Sequence, residues 1–403
     1  MNLNVEIFRE FNNFTFYIIC IHGGQIEYEY LLGIIKIRIF FMKWEKTFRL
    51  ILKTLLFIVL AVVLLFGGII IYGTFKDYQP AQKEKLEISG QGYFDASNDS
   101  VLTFISWNIG YCGLGKDMDF FYDGGSKVRP SKEDFRKYLN GTLNFFLKND
   151  TVDIFLLQEV DTNARKSYYA NESILINQFI PNYSYVFAKN YDVKFVPFPV
   201  YSPMGSVVSG MMILSKIRPV EAYRLPYIVN YSWPMKIFLF DRCVLYTKFK
   251  MPGGKYLVLL NTHNSAFDDA AKLRESEGYV LKAIMLDEYE RGNYVVAGGD
   301  WNRNPPGFDM KKLDNSEAKK TAEPAFEKDF LPGGWTWVFD PSQPTNRDVN
   351  EAYIKGKTKT TIIDYFVVSP NLDVIENKTI PTNFEFSDHQ PVFLRVKIKA
   401  ATP

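Results

Sequence analysis

The sequence predicts an α+β fold, a two-layer β-sandwich flanked by helices, preceded by one N-terminal transmembrane helix. Two observations predict it. From Val101 onward, nine short runs rich in β-branched and aromatic residues are separated by polar, Gly or Pro breaks, and only two stretches read as helix. Ahead of them, residues 54–75 carry no charge, a run of about 22 residues where about 20 suffice to cross the hydrocarbon of a bilayer. The chain is 47% hydrophobic, enough to bury a large core.

Residues 1–41 mix apolar runs with Glu27, Glu29, Lys36 and Arg38 and show neither a clean span nor an amphipathic period. "MKWEKTFRLILKTLL", from Met42, reads as a natural start, so residues 1–41 are expected to be an extension from a misplaced start site. Residues 42–75 are the expected signal anchor. Lys43, Lys46, Arg49 and Lys53 precede the apolar run, and the flank after it is of mixed sign. The positive-inside rule then puts the N-terminus in the cytoplasm and the rest in the periplasm or outside the cell, as a single-pass protein. A cleaved signal peptide is the alternative, although no small-x-small site follows. A buried core helix is the structural alternative, set against the length of the run. Residues 76–100 are polar and read as a tether of about 25 residues.

The globular domain is expected over 101–403. Its strands are "VLTFISWN", "VDIFLLQEV", "YSYVFAKN", "GMMILSK", "CVLYTKFK", "YLVLLNTH", "NYVVAGGDWN", "TIIDYFVVS" and "PVFLRVKIK". "SKEDFRKYLNGTLNFFLKN" opens with Ser131 and early acids, a helix start, and the stretch from Asp268 ends at Gly292, a helix stop. Residues 308–330 are polar and read as an excursion. Eight of the 47 basic and five of the 45 acidic residues lie in the first 76, which leaves a net charge of −1 for the rest. That balance offers no obvious electrostatic glove for nucleic acid. Cys20, Cys112 and Cys243 form no CxxC pair, which argues against a structural zinc site or a disulfide framework.

Several apolar strands end in a carboxylate, amide or imidazole: Asn108, Glu159, His263, Asp300 with Asn302, Asp364, and Asp388 with His389. Each has a bland reading. Asn108, Asp300 and Asn302 suit turns, Glu159 suits a solvated loop edge, and a lone histidine is more often structural. Asp364 is harder to dismiss, because an acid inside "TIIDYFVV" is buried and needs a partner. Together they describe a sheet edge that assembles a site.

The elements "SWNIG", "LLQEVD", "SGMMILSK", "NTHNSAF", "GGDWN", "IDYFVVS" and "SDHQPV" occur in the order of a known family. Over 103–396 the chain resembles the endonuclease/exonuclease/phosphatase superfamily, with the deoxyribonuclease I-like sandwich. The resemblance implies a metal-dependent phosphoric ester hydrolase. It makes Glu159 the principal ligand of a divalent metal, usually Mg²⁺ with Mn²⁺ as the alternative, and puts Asn108 and Asp388 beside it. Asp300 orients or deprotonates water, Asn302 holds a phosphate oxygen, and His389, paired with Asp364, contacts phosphate. His263 stabilises charge near the leaving group, and Arg242 binds substrate or forms a surface ion pair. Either Asp300 or His389 serves as base. Arg165, Tyr168 and Tyr169 are expected along the groove. The chain carries no GxSxG elbow, P-loop or HExxH.

The family's substrates range from nucleic acids to inositol phosphates and sphingomyelin, so the fold names none. "KTKTTIIDYF" lacks the signature of the inositol 5-phosphatases. The expected partners are a membrane, through the N-terminal helix, and a phosphoester substrate, either nucleic acid or a phospholipid head group. No protein partner is indicated. A catalytically inactive binding module is the alternative from another class.

Overall fold

A computed structural model describes residues 26–92, 101–227, 231–266, 271–310, 313 and 324–399. The chain divides into two units, Met1–Ile71 and Tyr72–Pro403. The described residues of the first lie in a helix, Ile26–Lys76. Gly33–Lys76 is the one helix among the described residues long and apolar enough to cross a membrane. The helix begins upstream of Met42, so residues 26–41 continue it. What was expected of residues 1–25 lies outside the described residues.

Among the described residues, the second unit holds two seven-stranded sheets and a two-stranded one. One orders its strands Glu84–Lys85, Glu221–Pro226, Cys243–Lys250, Tyr256–His263, Tyr294–Asp300, Asp364–Val368, Thr336–Val338. The other orders them Leu372–Thr379, Val392–Ile398, Val101–Asn108, Ile154–Asp161, Gly205–Ser215, Ser184–Val196, Ser89–Gly90. Successive side chains of a strand point to opposite faces. Phe104, Leu156, Ile213, Leu259, Val296 and Phe366 fill the space between the sheets. Ile105, Leu157 and Trp107 turn outward onto Phe135 and Phe146 of the helix Lys132–Lys148 and Ile176 of the helix Glu172–Phe179. Val258 and Val295 turn outward onto Leu281 and Met285 of the helix Ala271–Glu290. Strands covered on both faces read as continuous apolar runs, which is why alternation is faint in the sequence.

Ser131 caps its helix as expected, accepting from Asp134 N at 3.0 Å. Two expectations need revision. The polar stretch 76–100 is not all tether: Glu84 and Lys85 pair with Arg224 and Tyr223, and Ser89 and Gly90 with Tyr185 and Ser184, so it edges both sheets. Nor is 308–330 wholly an excursion. Its residues 311–312 and 314–323 lie outside the described set, but Phe326 returns to pack edge-on against Trp301 at 5.9 Å.

A buried polar bridge ties the sheets together beneath one edge. Gln158 Nε2 donates to Asn261 Oδ1 at 2.7 Å, and Asn261 Nδ2 donates to Leu157 O at 3.0 Å. Gln158 pairs with Asn108 in one sheet, and Asn261 lies two residues before His263 in the other.

Candidate active site

The polar strand ends meet at that edge. Asp300 occupies one rung of its sheet with His263 on one side and Asp364 on the other. Gly299 makes the rung possible, because at φ 142° an added Cβ would stand 2.0 Å from Thr262 O. Across the sandwich, the pairing of Ile154–Asp161 with Gly205–Ser215 breaks between Leu157 and Val160. Within that break Glu159 takes φ 54°, a costly conformation for a residue with a side chain. The kink turns its carboxylate out, 26% exposed, while Gln158 and Val160 stay buried.

Asn108 connects the two strand-end groups. Its Nδ2 donates to Glu159 Oε1 at 3.2 Å and to Asp300 Oδ2 at 3.1 Å, and its Oδ1 accepts from Gly110 N at 3.0 Å. The segment Ser387–His389 is pinned against the same strand. Trp107 Nε1 donates to His389 O at 3.0 Å, and Ser387 Oγ donates to Asn108 O at 2.8 Å. His389 Nδ1 is 2.8 Å from Asp364 Oδ2. Its Nε2 faces Asn346 Nδ2 at 3.0 Å, Asp300 Oδ2 at 3.7 Å and Asp388 Oδ2 at 4.0 Å. His263 Nε2 stands 3.5 Å from Asp300 Oδ2 and 3.9 Å from Glu159 Oε1. Asn302 N donates to Asp300 Oδ1 at 3.0 Å, and its Nδ2 to Asn264 O at 2.7 Å. Arg242 is buried; its Nη1 donates to His263 O at 2.9 Å, and its guanidinium lies 4.2 Å over the Phe240 ring.

Glu159, Arg242, His263, Asp300, Asn302, Asp388 and His389 line one cleft of about 370 Å³, and Asn108 and Asp364 back it. Burial alone would discharge His389, but Asp364, Asp300 and Asp388 around it lift its pKa to about 10. Burial raises Asp300 to about 7, against the pull of His389. Burial likewise raises Asp388 to about 6, helped by the charge of Glu159. His263 is pushed well below its ordinary value by burial, then by Arg242 and His389. The surroundings thus favour charge on His389 and neutrality on His263.

The donor set suits a hard divalent cation. Glu159 and Asp388 offer carboxylate oxygens that repel each other across the cleft, a repulsion a cation relieves. Asn108 Oδ1 keeps a second lone pair beyond its bond to Gly110. Gly110 itself has room only for hydrogen, since a Cβ would lie 2.9 Å from Asp388 Oδ1. Asp300, Asp364 and His389 also bring ligand atoms within 4.8 Å of one another. Their closest pair is the made Asp364–His389 hydrogen bond, so a cation there would displace it.

Residues 105–389 match the model of the Endonuclease/Exonuclease/phosphatase family. The chain belongs to that family. An endonuclease/exonuclease/phosphatase from Beutenbergia cavernae DSM 12333 is similar in structure, at 15% identity and TM-score 0.52, over 75% of this chain and 73% of that one. A truncated Caenorhabditis elegans TDP2 is similar at 15% identity and TM-score 0.47, over 75% of this chain and 100% of that one. The human nocturnin catalytic domain with bound sulfate anion follows at 13% identity and TM-score 0.47, over 78% and 97%. At such identity the likeness concerns the fold, which is the deoxyribonuclease I-like sandwich expected. No curated protein matches the sequence.

Some of the site escaped the sequence. Within this phosphoesterase fold, Asn346 reaches His389 Nε2 from "SQPTNRDVN", a stretch with no strand or helix signal. Its neighbour Arg347 is buried and donates to Leu114 O, Gly115 O and Met118 O, which holds the cleft wall together. A charged residue flanked by polar ones looks solvated, so only the fold exposes this role. Behind Glu159, buried Lys166 sits 3.1 Å over the Tyr111 ring and 3.5 Å from Asp161 Oδ1. None of the groove residues Arg165, Tyr168 and Tyr169, expected after Glu159, lines the cleft. Tyr168 donates to Pro130 O at 2.9 Å and packs on Phe135, and Arg165 donates to Pro203 O. The cleft is walled instead by Leu114, Phe120, Tyr122 and Phe240.

Proposed function

We propose that the chain is a divalent-metal-dependent phosphoesterase, working with Mg²⁺ or Mn²⁺, that cleaves a phosphodiester or phosphomonoester by in-line attack of water. Its apolar helix serves as a signal anchor, with the N-terminus in the cytoplasm and the catalytic domain across the membrane. The observation that carries the catalytic reading is the row Asp364–His389–Asp300 beside the turned-out Glu159, in one cleft. The four basic residues Lys43, Lys46, Arg49 and Lys53 ahead of the apolar run support the topology.

Glu159 and Asp388, with the Asn108 carbonyl, would hold the ion, which would supply Lewis-acid stabilisation of the charge that develops on the phosphoryl group. Asp300 receives the proton of the attacking water, steadied by Asn302 N on its other oxygen. His389, held cationic by its three carboxylates, donates to a phosphate oxygen. Asp364 fixes the ring and leaves only Nε2 for the cleft. Neutral His263 offers an N–H on the leaving-group side, and Arg242 orients it through its carbonyl. Asn302 presents its remaining amide hydrogen to phosphate. The net charge of −1 over residues 77–403 gives no support to tight polynucleotide binding.

The test is Mg²⁺-dependent hydrolysis of bis-p-nitrophenyl phosphate. Wild type is expected to turn it over, and Glu159→Gln and His389→Ala to fall to background. Equal rates in all three would reject the reading.

A further inference from the structure

Among the described residues of the catalytic unit, large exposed apolar side chains stand mostly singly or in pairs, with one exception. Phe195, Phe198, Val200 and Tyr201 are 37%, 52%, 69% and 75% exposed within one short segment, and Trp233 and Met235 add 59% and 55%. Both segments are rooted in the same buried cluster. Val193 and Met204 bracket the first, Phe238 and Phe240 follow the second, and all four pack there with Phe120 and Tyr122. Tyr122 Oη donates to Phe198 O at 2.7 Å, and Tyr191 stacks on Phe240 at 4.1 Å. Phe120, Tyr122 and Phe240 are also walls of the catalytic cleft. An exposed aromatic rim therefore borders the cleft. Contiguous apolar surface beside a polar cleft marks an interaction site. A ring with one polar end, such as Tyr201, suits the head-group level of a bilayer, and Trp233 offers its apolar ring face while its Nε1 donates to Thr74 Oγ1 at 3.1 Å.

The length of chain between helix and sheet names the occupant. Phe240 and Arg242 also line a neighbouring cleft of about 230 Å³, together with Asp77, Tyr78, Gln79, Pro80 and Lys236. Asp77 directly follows Lys76, the last residue of the apolar helix. Glu84 is already paired with Arg224. Only residues 77–83 intervene, and fully extended they reach roughly 25 Å. The segment leaving the helix thus runs beside the rim, and exposed Lys236 there suits anionic lipid.

We propose that the rim formed by Phe195–Tyr201 and Trp233–Met235 seats on the bilayer that holds the apolar helix, so that the cleft takes its phosphoester from a lipid head group at that surface. This rests on the anchor and phosphoesterase readings above.

The test uses the full chain reconstituted in vesicles of phosphatidylcholine and phosphatidylglycerol, wild type against Trp233→Tyr. The difference between their emissions isolates Trp233. Brominated lipid is expected to quench most of that difference, and aqueous iodide little of it. The pair Phe198→Ser and Tyr201→Ser is expected to lower release of a labelled phospholipid head group at least ~10-fold, while turnover of bis-p-nitrophenyl phosphate is unchanged. Trp233 open to iodide and untouched by brominated lipid overturns the docking alone. A chain that does not co-float with vesicles overturns the anchor and the docking together. Equal loss on lipid and soluble diester, with Trp233 quenched by lipid, overturns the head-group substrate. A wild type inert on the soluble diester sinks the phosphoesterase reading, and quenching still decides the docking.

Discussion

At His389 the chemistry follows from what occupies each ring nitrogen. Nδ1 is spent on Asp364, so the proposed mechanism has only Nε2 to offer a substrate, among carboxylates that favour the charged ring. Replacing Asp364 by Asn keeps the shape and removes the charge. We expect Asp364→Asn to lower kcat by about 10²- to 10³-fold with a smaller change in KM, read in steady-state kinetics. A second acid, in the neighbouring cleft, gives a test outside the catalytic residues. Burial raises Asp241 from 3.8 to about 7, more than Arg224 beside it can lower it. A carboxyl whose folded pKa is raised is favourable to folding in its acid form only. The penalty is absent below about 3.8, grows as pH climbs through 7, and levels off above. Asp241→Asn should therefore gain stability over wild type between pH 5 and pH 8, by an increment of order 2 kcal/mol, and none further above. Thermal unfolding across that range measures it, and a gap that shrinks with pH would refute it.

Strand ends explain which parts of the site were legible. A strand delivers its terminal side chain to a fixed edge, so Asn108, His263 and Asp300 announce themselves wherever an apolar run stops at a polar residue. Pairing partners do not announce themselves. That Asp300 shares its rung with both His263 and Asp364 is a property of the register, set by parallel and antiparallel neighbours far apart in sequence. The cleft wall was opaque for a different reason. Asn346 and Arg347 lie in a two-residue strand, and their position depends on Arg347 finding carbonyls in the 114–118 turn. The edge strands Glu84–Lys85 and Ser89–Gly90 were equally hidden, because two polar residues carry no period. The rung has a clear weak point at Gly299. Gly299→Ala forces a Cβ into Thr262 O or moves Asp300 off its neighbours. It should cost more than about 2 kcal/mol in urea unfolding and also reduce turnover. An alanine variant as stable as wild type would mean the strand can open there without loss.

For the whole molecule, the sharpest revision concerns where the catalytic domain begins. Composition draws the boundary at Val101, where aliphatic residues become dense. Contacts draw it earlier. Besides the two edge pairings, Arg218 donates to Gly90 O at 2.7 Å and to Ile88 O at 2.9 Å, tying the polar stretch to the sandwich. Lys83 lies 4.0 Å over the Tyr223 ring. These contacts are exposed or half-exposed, so each contributes at most about 1 kcal/mol, but a truncation removes all of them at once. It also leaves two sheet edges with open hydrogen-bonding groups, a template for association between copies. Chains spanning 77–403 and 101–403 should both fold, since the truncation takes only the partly buried Leu86 and Ile88 from the core between the sheets. The shorter one should melt roughly 2–5 °C lower and self-associate more readily. Calorimetry and light scattering on the two chains decide it. Equal melting temperatures would return residues 76–100 to the role of a slack tether.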